Sequence, residues 1–188
     1  MKLFALLIIW ILLFLVSTGH TERQDLNGVS YEFTQMGNLY RFCGTFSTST
    51  DPDCLLNVFY DFDHLLNFIT RADSIILLHQ GRNSYEVCYV YRKLLFESRF
   101  TYRKTLIQRD QRIAFEMVSN EQGFFSFPKV LSSRGYYEIK PRAEGCTFVY
   151  FEEARIGSKL PYRLVSMAKN EAIRFLEEIK KYTESKCH

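Results

Sequence analysis

The chain has 188 residues and a formal net charge of +3 from 24 basic and 21 acidic side chains, with 17 Phe and 12 Tyr as its main excess. That balance, without a concentrated basic stripe, argues against a nucleic-acid binder, and the length suits one domain with a sizeable core. Rings in this number imply either an aromatic core or a ring-lined cavity, because Phe and Tyr carry large apolar area and each Tyr adds a hydroxyl that needs a partner.

Lys2, the apolar run Leu3 to Val16 and the small residues Ser17-Thr18-Gly19 have the layout of a secretory signal peptide over residues 1–19. The run is shorter than the roughly 20 residues that comfortably span a bilayer, which favours a cleaved signal over a retained anchor. Export to a periplasmic or extracellular compartment is therefore expected. Residues 20–37 read as a polar leader, and residues 38–185 as the domain.

Asn38 to Phe46 reads as a strand. Asp51-Pro52-Asp53 then starts a helix, with a carboxylate at the cap and proline at the first helical position, where its missing N–H costs nothing. A second short helix is expected through Asp63 to Ile69. The period then changes to two, with strands expected at Ser74–His79, Ser84–Arg92, Ser98–Arg109, Arg112–Ser119, Ser132–Lys140 and Gly145–Arg155. Short turns between them, such as Gln80-Gly81-Arg82-Asn83, imply antiparallel neighbours. Leu160 to Thr183 repeats Leu164, Ala168, Ala172, Phe175 and Ile179 at helical spacing. At ~1.5 Å per residue this amphipathic helix is long enough to cross a sheet.

Alternation marks an inner face. One parity carries Tyr85, Val87, Tyr89 and Tyr91, then Phe100 and Tyr102, then Phe115 and Met117, then Tyr137. The other carries Glu86, Arg92, Arg99, Arg103, Glu116 and Glu138. One wet and one covered face produce this contrast. On the last strand the parity is ambiguous, since Phe148 and Tyr150 are as apolar as Val149 and Phe151.

The element order is α+β: a strand, two short helices, six antiparallel strands and a long helix. The segment from Asp51 to Leu65, the strand Arg112 to Val118, the pair Gly135–Pro141 and Gly145–Phe151, and Leu160-Pro161 opening the last helix resemble the polyketide cyclase/dehydrase and lipid-transport family. That family belongs to the START-like, or Bet v 1-like, superfamily, which includes coenzyme Q-binding proteins. The resemblance covers roughly Leu39 to Glu184. It implies a helix-grip fold with a seven-stranded curved sheet and, on the last strand, Val149, Phe151 and Glu153 facing inward.

A sheet bent around one helix leaves concave space for a guest, and small-molecule sites are concave, mostly apolar and furnished with a few orienting polar groups. The expected ligand set is Val87, Tyr89, Tyr91, Phe100, Tyr102, Phe115, Met117, Tyr137, Val149, Phe151 and Glu153, with Leu164 and Ala168 from the helix. The expected partner is a hydrophobic small molecule (a lipid, quinone or polyketide-like compound), bound or carried without catalysis. Phe124, Phe125 and Phe127 are either a lid or membrane-touching tip or the continuation of a strand into the core.

The enzymatic alternative, a cyclase or isomerase, offers Glu153, His79, Glu86 and Tyr89 as acid–base candidates. His64 and His79 are isolated, and a lone histidine is more often structural. No Ser-His-Asp order, phosphate loop or metal-ligand spacing occurs, so no cofactor or metal is implied. A signal peptide argues against the third reading, a role on a cytoplasmic assembly. In an exported chain the five cysteines can oxidise. None forms a CxxC pair; Cys43 and Cys54, nearest in sequence, are the expected bridge, with Cys187 the easiest to spare.

Overall fold

The computed structural model describes residues 20–26, 28–69, 72–93, 96–122 and 129–187. The expected signal peptide and Phe124, Phe125 and Phe127 lie outside the described residues. The elements run β1 (His20–Leu26), β2 (Val29–Met36), β3 (Leu39–Thr48), α1 (Pro52–Tyr60), α2 (Phe62–Phe68), β4 (Ser74–Gln80), β5 (Ser84–Lys93), β6 (Phe96–Ile107), β7 (Arg112–Gln122), β8 (Val130–Pro141), β9 (Cys146–Ile156) and α3 (Tyr162–Lys186). All strand pairings are antiparallel, in the order β1-β2-β3-β9-β8-β7-β6-β5-β4.

The sheet thus has nine strands among the described residues, not seven. The two extra strands come from the segment read as a leader. Its polar composition hid an alternation: Val29, Tyr31 and Phe33 are all buried, while Glu32 between them is exposed. These three residues extend the inner face beyond β3.

The local signals for α1 act as expected. The Asp51 side chain accepts from the Cys54 N–H at 2.8 Å, and Pro52 opens the helix. Asp61 then ends α1 and caps α2. Leu55, Leu56, Val58 and Phe59 of α1 with Leu65 and Phe68 of α2 plug one end of the curved sheet. Phe59 stacks on Phe148 at 4.5 Å and on Tyr137 at 5.2 Å between ring centroids.

Helix α3 buries Val165, Ile173, Leu176 and Ile179 against the sheet. It packs mainly on β2 and β3. Gly44 of β3 lets the helix sit close, since a Cβ there would stand 2.0 Å from Leu176 Cδ1. Both ends of the helix are tied down. Tyr40 Oη accepts from the Leu160 N–H at 2.8 Å, and Lys169 pairs with Glu22 of β1 at 2.7 Å. At the far end Cys187 is bridged to Cys54 of α1, and His64 Nδ1 meets Tyr182 Oη at 2.8 Å.

The expected Cys43–Cys54 bridge is therefore corrected. Cys43 sits on β3 paired with Phe151 and is a free thiol, whereas Cys54 on the first turn of α1 meets the end of α3 with 5.9 Å between Cα atoms. Proximity in sequence misleads here because the chain closes on itself, bringing α1 and the C-terminal turn together.

Candidate functional site

Because α3 leans on β2 and β3, it leaves the concave faces of β5 to β8 partly uncovered. A cavity of about 420 Å³ occupies that space, within the roughly 300–1,000 Å³ usual for small-molecule sites. Strand residues Tyr89, Tyr91, Tyr102, Lys104, Phe115, Tyr137, Tyr150 and Glu152 form its sheet wall. Phe68 and Ile69 at the end of α2 close one side, and Ala168, Glu171, Ala172, Phe175 and Glu178 of α3 form the roof. The two alanines matter, since small side chains on the roof leave volume that larger ones would fill. A smaller hollow of about 200 Å³ between β3 and α3 shares Glu152, Ala168 and Ala172 with it.

Of the residues expected from sequence, Tyr89, Tyr91, Tyr102, Phe115, Tyr137 and Ala168 line this cavity together. Val87 is on the inner face but fully buried in the packed core. Phe100 lies beside the wall, edge-on to Tyr91 at 5.9 Å, and Leu164 packs half-buried against the core. Met117 pairs with Tyr102 next to a bulge that leaves Val118 without a β6 partner, and it does not reach the cavity.

The expected parity of β9 is corrected. Tyr137, on the inner face, is directly opposite Tyr150, and Tyr136 is opposite Phe151. Cross-strand partners share a face, and a one-residue slip exchanges the two faces. The turn that sets this register holds Gly145 at φ +79°, against the Thr48 carbonyl oxygen, where a side chain has no room. Val149, Phe151 and Glu153 consequently belong to the convex side. Phe151 stacks on Tyr136 at 5.3 Å, and Glu153 is held by Arg41 at 2.7 Å and Arg134 at 2.8 Å. Those arginines keep the Glu153 carboxyl below its ordinary range, the Arg41 hydrogen bond being the main cause.

The acid–base candidates do not converge. Glu153 is convex, Glu86 is paired with Arg103 on the same face at 2.9 Å, and His79 is exposed on β4. Only Tyr89 reaches the cavity, and burial raises its phenol well above the ordinary value. Tyr102, Tyr137 and Tyr150 are raised by burial as well, so the wall is a set of neutral hydroxyls. Among the described residues, no group of three or more His, Cys, Asp or Glu side chains gathers as a metal site.

Two charged residues of the wall escaped the sequence reading. Glu152 accepts from Ser133 Oγ at 2.7 Å and from Tyr150 Oη. Lys104 sits between Tyr85 of β5 and Phe115 of β7 in the register and is only 2% exposed. Its Nζ has no hydrogen-bond partner among the described residues and lies 5.4 Å from the Tyr137 ring centroid and 5.9 Å from that of Tyr85. Burial pushes its pKa down to about 7. The signal was available: Lys104 continues the inner parity of Phe100 and Tyr102.

A larger groove of about 640 Å³ opens on the convex face, but Arg41, Arg103, Arg134, Glu116 and Glu153 around it are paired with one another. It lies on the arginine-rich convex face, away from the inner tyrosines and from α3.

No family model matches the chain, and no curated protein matches it significantly by sequence. Solved structures do. A STAR-related lipid transfer protein fragment from Xanthomonas axonopodis aligns with TM-score 0.66 at 14% identity, over 88% of this chain and 98% of that one. Human STARD10 aligns with TM-score 0.65 at 14% identity, over 89% and 73%. The Zhui aromatase/cyclase from a Streptomyces species gives 0.62 at 14% identity, over 78% and 94%. The sheet, the plug of two short helices and the long C-terminal helix are thus those of the START-like, or Bet v 1-like, fold.

Proposed function

We propose that the protein binds and carries a hydrophobic small molecule in the cavity between the sheet and α3, without transforming it, in an exported compartment. The observation that carries the reading is the ring-lined volume beneath Ala168 and Ala172. Lipid-transfer proteins among the structural neighbours support the same class of guest. Removing about 300 Å² of apolar surface from water is worth roughly 7 kcal/mol at about 25 cal/mol per Å², enough for micromolar binding without special chemistry. Export is supported by the apolar N-terminal run and by the Cys54–Cys187 bridge, since such bonds persist in oxidising compartments. A cyclase-type reaction would need an acid and a base within hydrogen-bond reach of the guest. Of the acid–base residues singled out in the sequence, Tyr89 alone lines the cavity.

Native mass spectrometry of the purified full chain tests the reading. It expects protein carrying one apolar molecule, or taking one up after delipidation. Protein that stays empty on exposure to fatty acids and quinones contradicts it.

A further inference from the structure

We propose that the guest is an amphiphile with a single carboxylate, seated head-inward so that Lys104 Nζ holds the head and the tail runs toward Tyr91 and Ala168. The proposal rests on the carrier reading above and adds the chemistry of the head group.

Lys104 Nζ and Tyr85 Oη are both buried donors without a hydrogen-bond partner among the described residues. They are cross-strand partners on β5 and β6, and therefore neighbours on one face. The two tyrosine rings near the ammonium supply cation–π attraction but no acceptor oxygen. The one carboxylate on the sheet wall, Glu152, takes its hydrogen bonds from Ser133 and Tyr150 instead. A buried amine without an acceptor is costly to the fold, and a guest that brings an anionic acceptor removes that cost.

The polarity of the cavity fits this orientation. Lys104 and Tyr137 mark its buried end, while Tyr91, 38% exposed, and the exposed Ala168 mark the end nearer solvent. Because Lys104 loses its water on folding, an entering carboxylate meets a donor already desolvated and positioned, which is preorganisation in favour of binding. A neutral amphiphile of equal length leaves the ammonium unpaired, and unpaired buried groups are the strongest source of discrimination in such sites. The depressed pKa of Lys104 is consistent with an amine lacking its counter-charge.

Calorimetric titration of the delipidated full chain with decanoate and with decan-1-ol, at mildly acidic pH, tests the assignment. The wild type is expected to bind decanoate at least about tenfold tighter than the alcohol, a difference of about 1.4 kcal/mol. Lys104→Met, which keeps side-chain length and removes the buried charge, is expected to abolish that preference. If both amphiphiles bind the wild type equally, or Lys104→Met keeps the decanoate preference, the head-group assignment is overturned and the carrier reading stands. If neither binds, the carrier reading fails and the assignment with it.

Discussion

Tyr137 on β8 and Tyr150 on β9 face each other across the sheet, with ring centroids 5.4 Å apart and planes 19° from parallel. This pairing fixes which side of β9 is inside. It places Glu152 on the cavity wall and Glu153 among convex arginines.

Glu153→Gln should accordingly leave uptake of a neutral fluorescent probe within about twofold of wild type, and stability within about 1 kcal/mol, the scale of exposed ion pairs. Arg41 and Arg134 are 45% and 72% exposed, so water replaces much of what the carboxylate gave them. Probe titration and urea unfolding read the two quantities. Loss of binding on this substitution would show the β9 register to be wrong.

Much of the architecture was legible in the residues, for reasons that differ between elements. Asp51-Pro52 announced α1 through cap chemistry, and the Leu164–Ile179 spacing announced α3. The inner tyrosines of β5 and β6 were visible because their neighbours are charged. On β9 both parities are apolar up to Phe151, so periodicity carried no information, and the register of a turn fixed by Gly145 decided instead. The strand β2 was missed because the polar residues around it mask the period of Val29-Ser30-Tyr31-Glu32-Phe33, and β1, from His20 to Leu26, carries no apolar alternation to read. Lys104 was missed for the opposite reason: its charge suggested solvent, although its parity placed it inside. The bridge partner of Cys54 depends on chain closure, which spacing does not encode.

Lys104 also makes stability depend on pH. Folded, it titrates at about 7; its ordinary value is 10.5. Between those values the unfolded chain holds a proton that the folded chain has released, so this group makes stability rise with pH across the window. Below about 7 the folded protein must bury an ammonium, and the penalty is fully present. Tyr85 and Tyr137, whose rings flank the amine, are raised by burial and stay neutral throughout the window. Delipidated wild type should therefore gain up to about 1.4 kcal/mol per pH unit relative to Lys104→Met as pH rises from 7 toward 10. Denaturant unfolding of both proteins at several pH values measures the difference. Parallel pH profiles would contradict a buried amine.

The bridge between α1 and the end of α3 closes a sequence separation of 133 residues. Constraint of the unfolded chain by so long a loop gives an expected loss of about 2–5 kcal/mol for Cys187→Ser. Peptide mapping without reductant should recover Cys54 joined to Cys187, with Cys43, Cys88 and Cys146 alkylated as thiols after unfolding. A Cys43–Cys54 peptide would refute this arrangement.

The most direct trial of the whole account is a fluorescence titration of delipidated protein with N-phenyl-1-naphthylamine, a neutral apolar dye that brightens out of water, in wild type and in Ala172→Trp. Ala172 is part of the cavity roof, and an indole there fills the space a guest needs. Wild type is expected to bind saturably and one-to-one in the micromolar range, and the variant, with cooperative unfolding retained, to bind about tenfold or more weakly. Dye that fails to saturate the wild type, or binds both proteins alike, would contradict it.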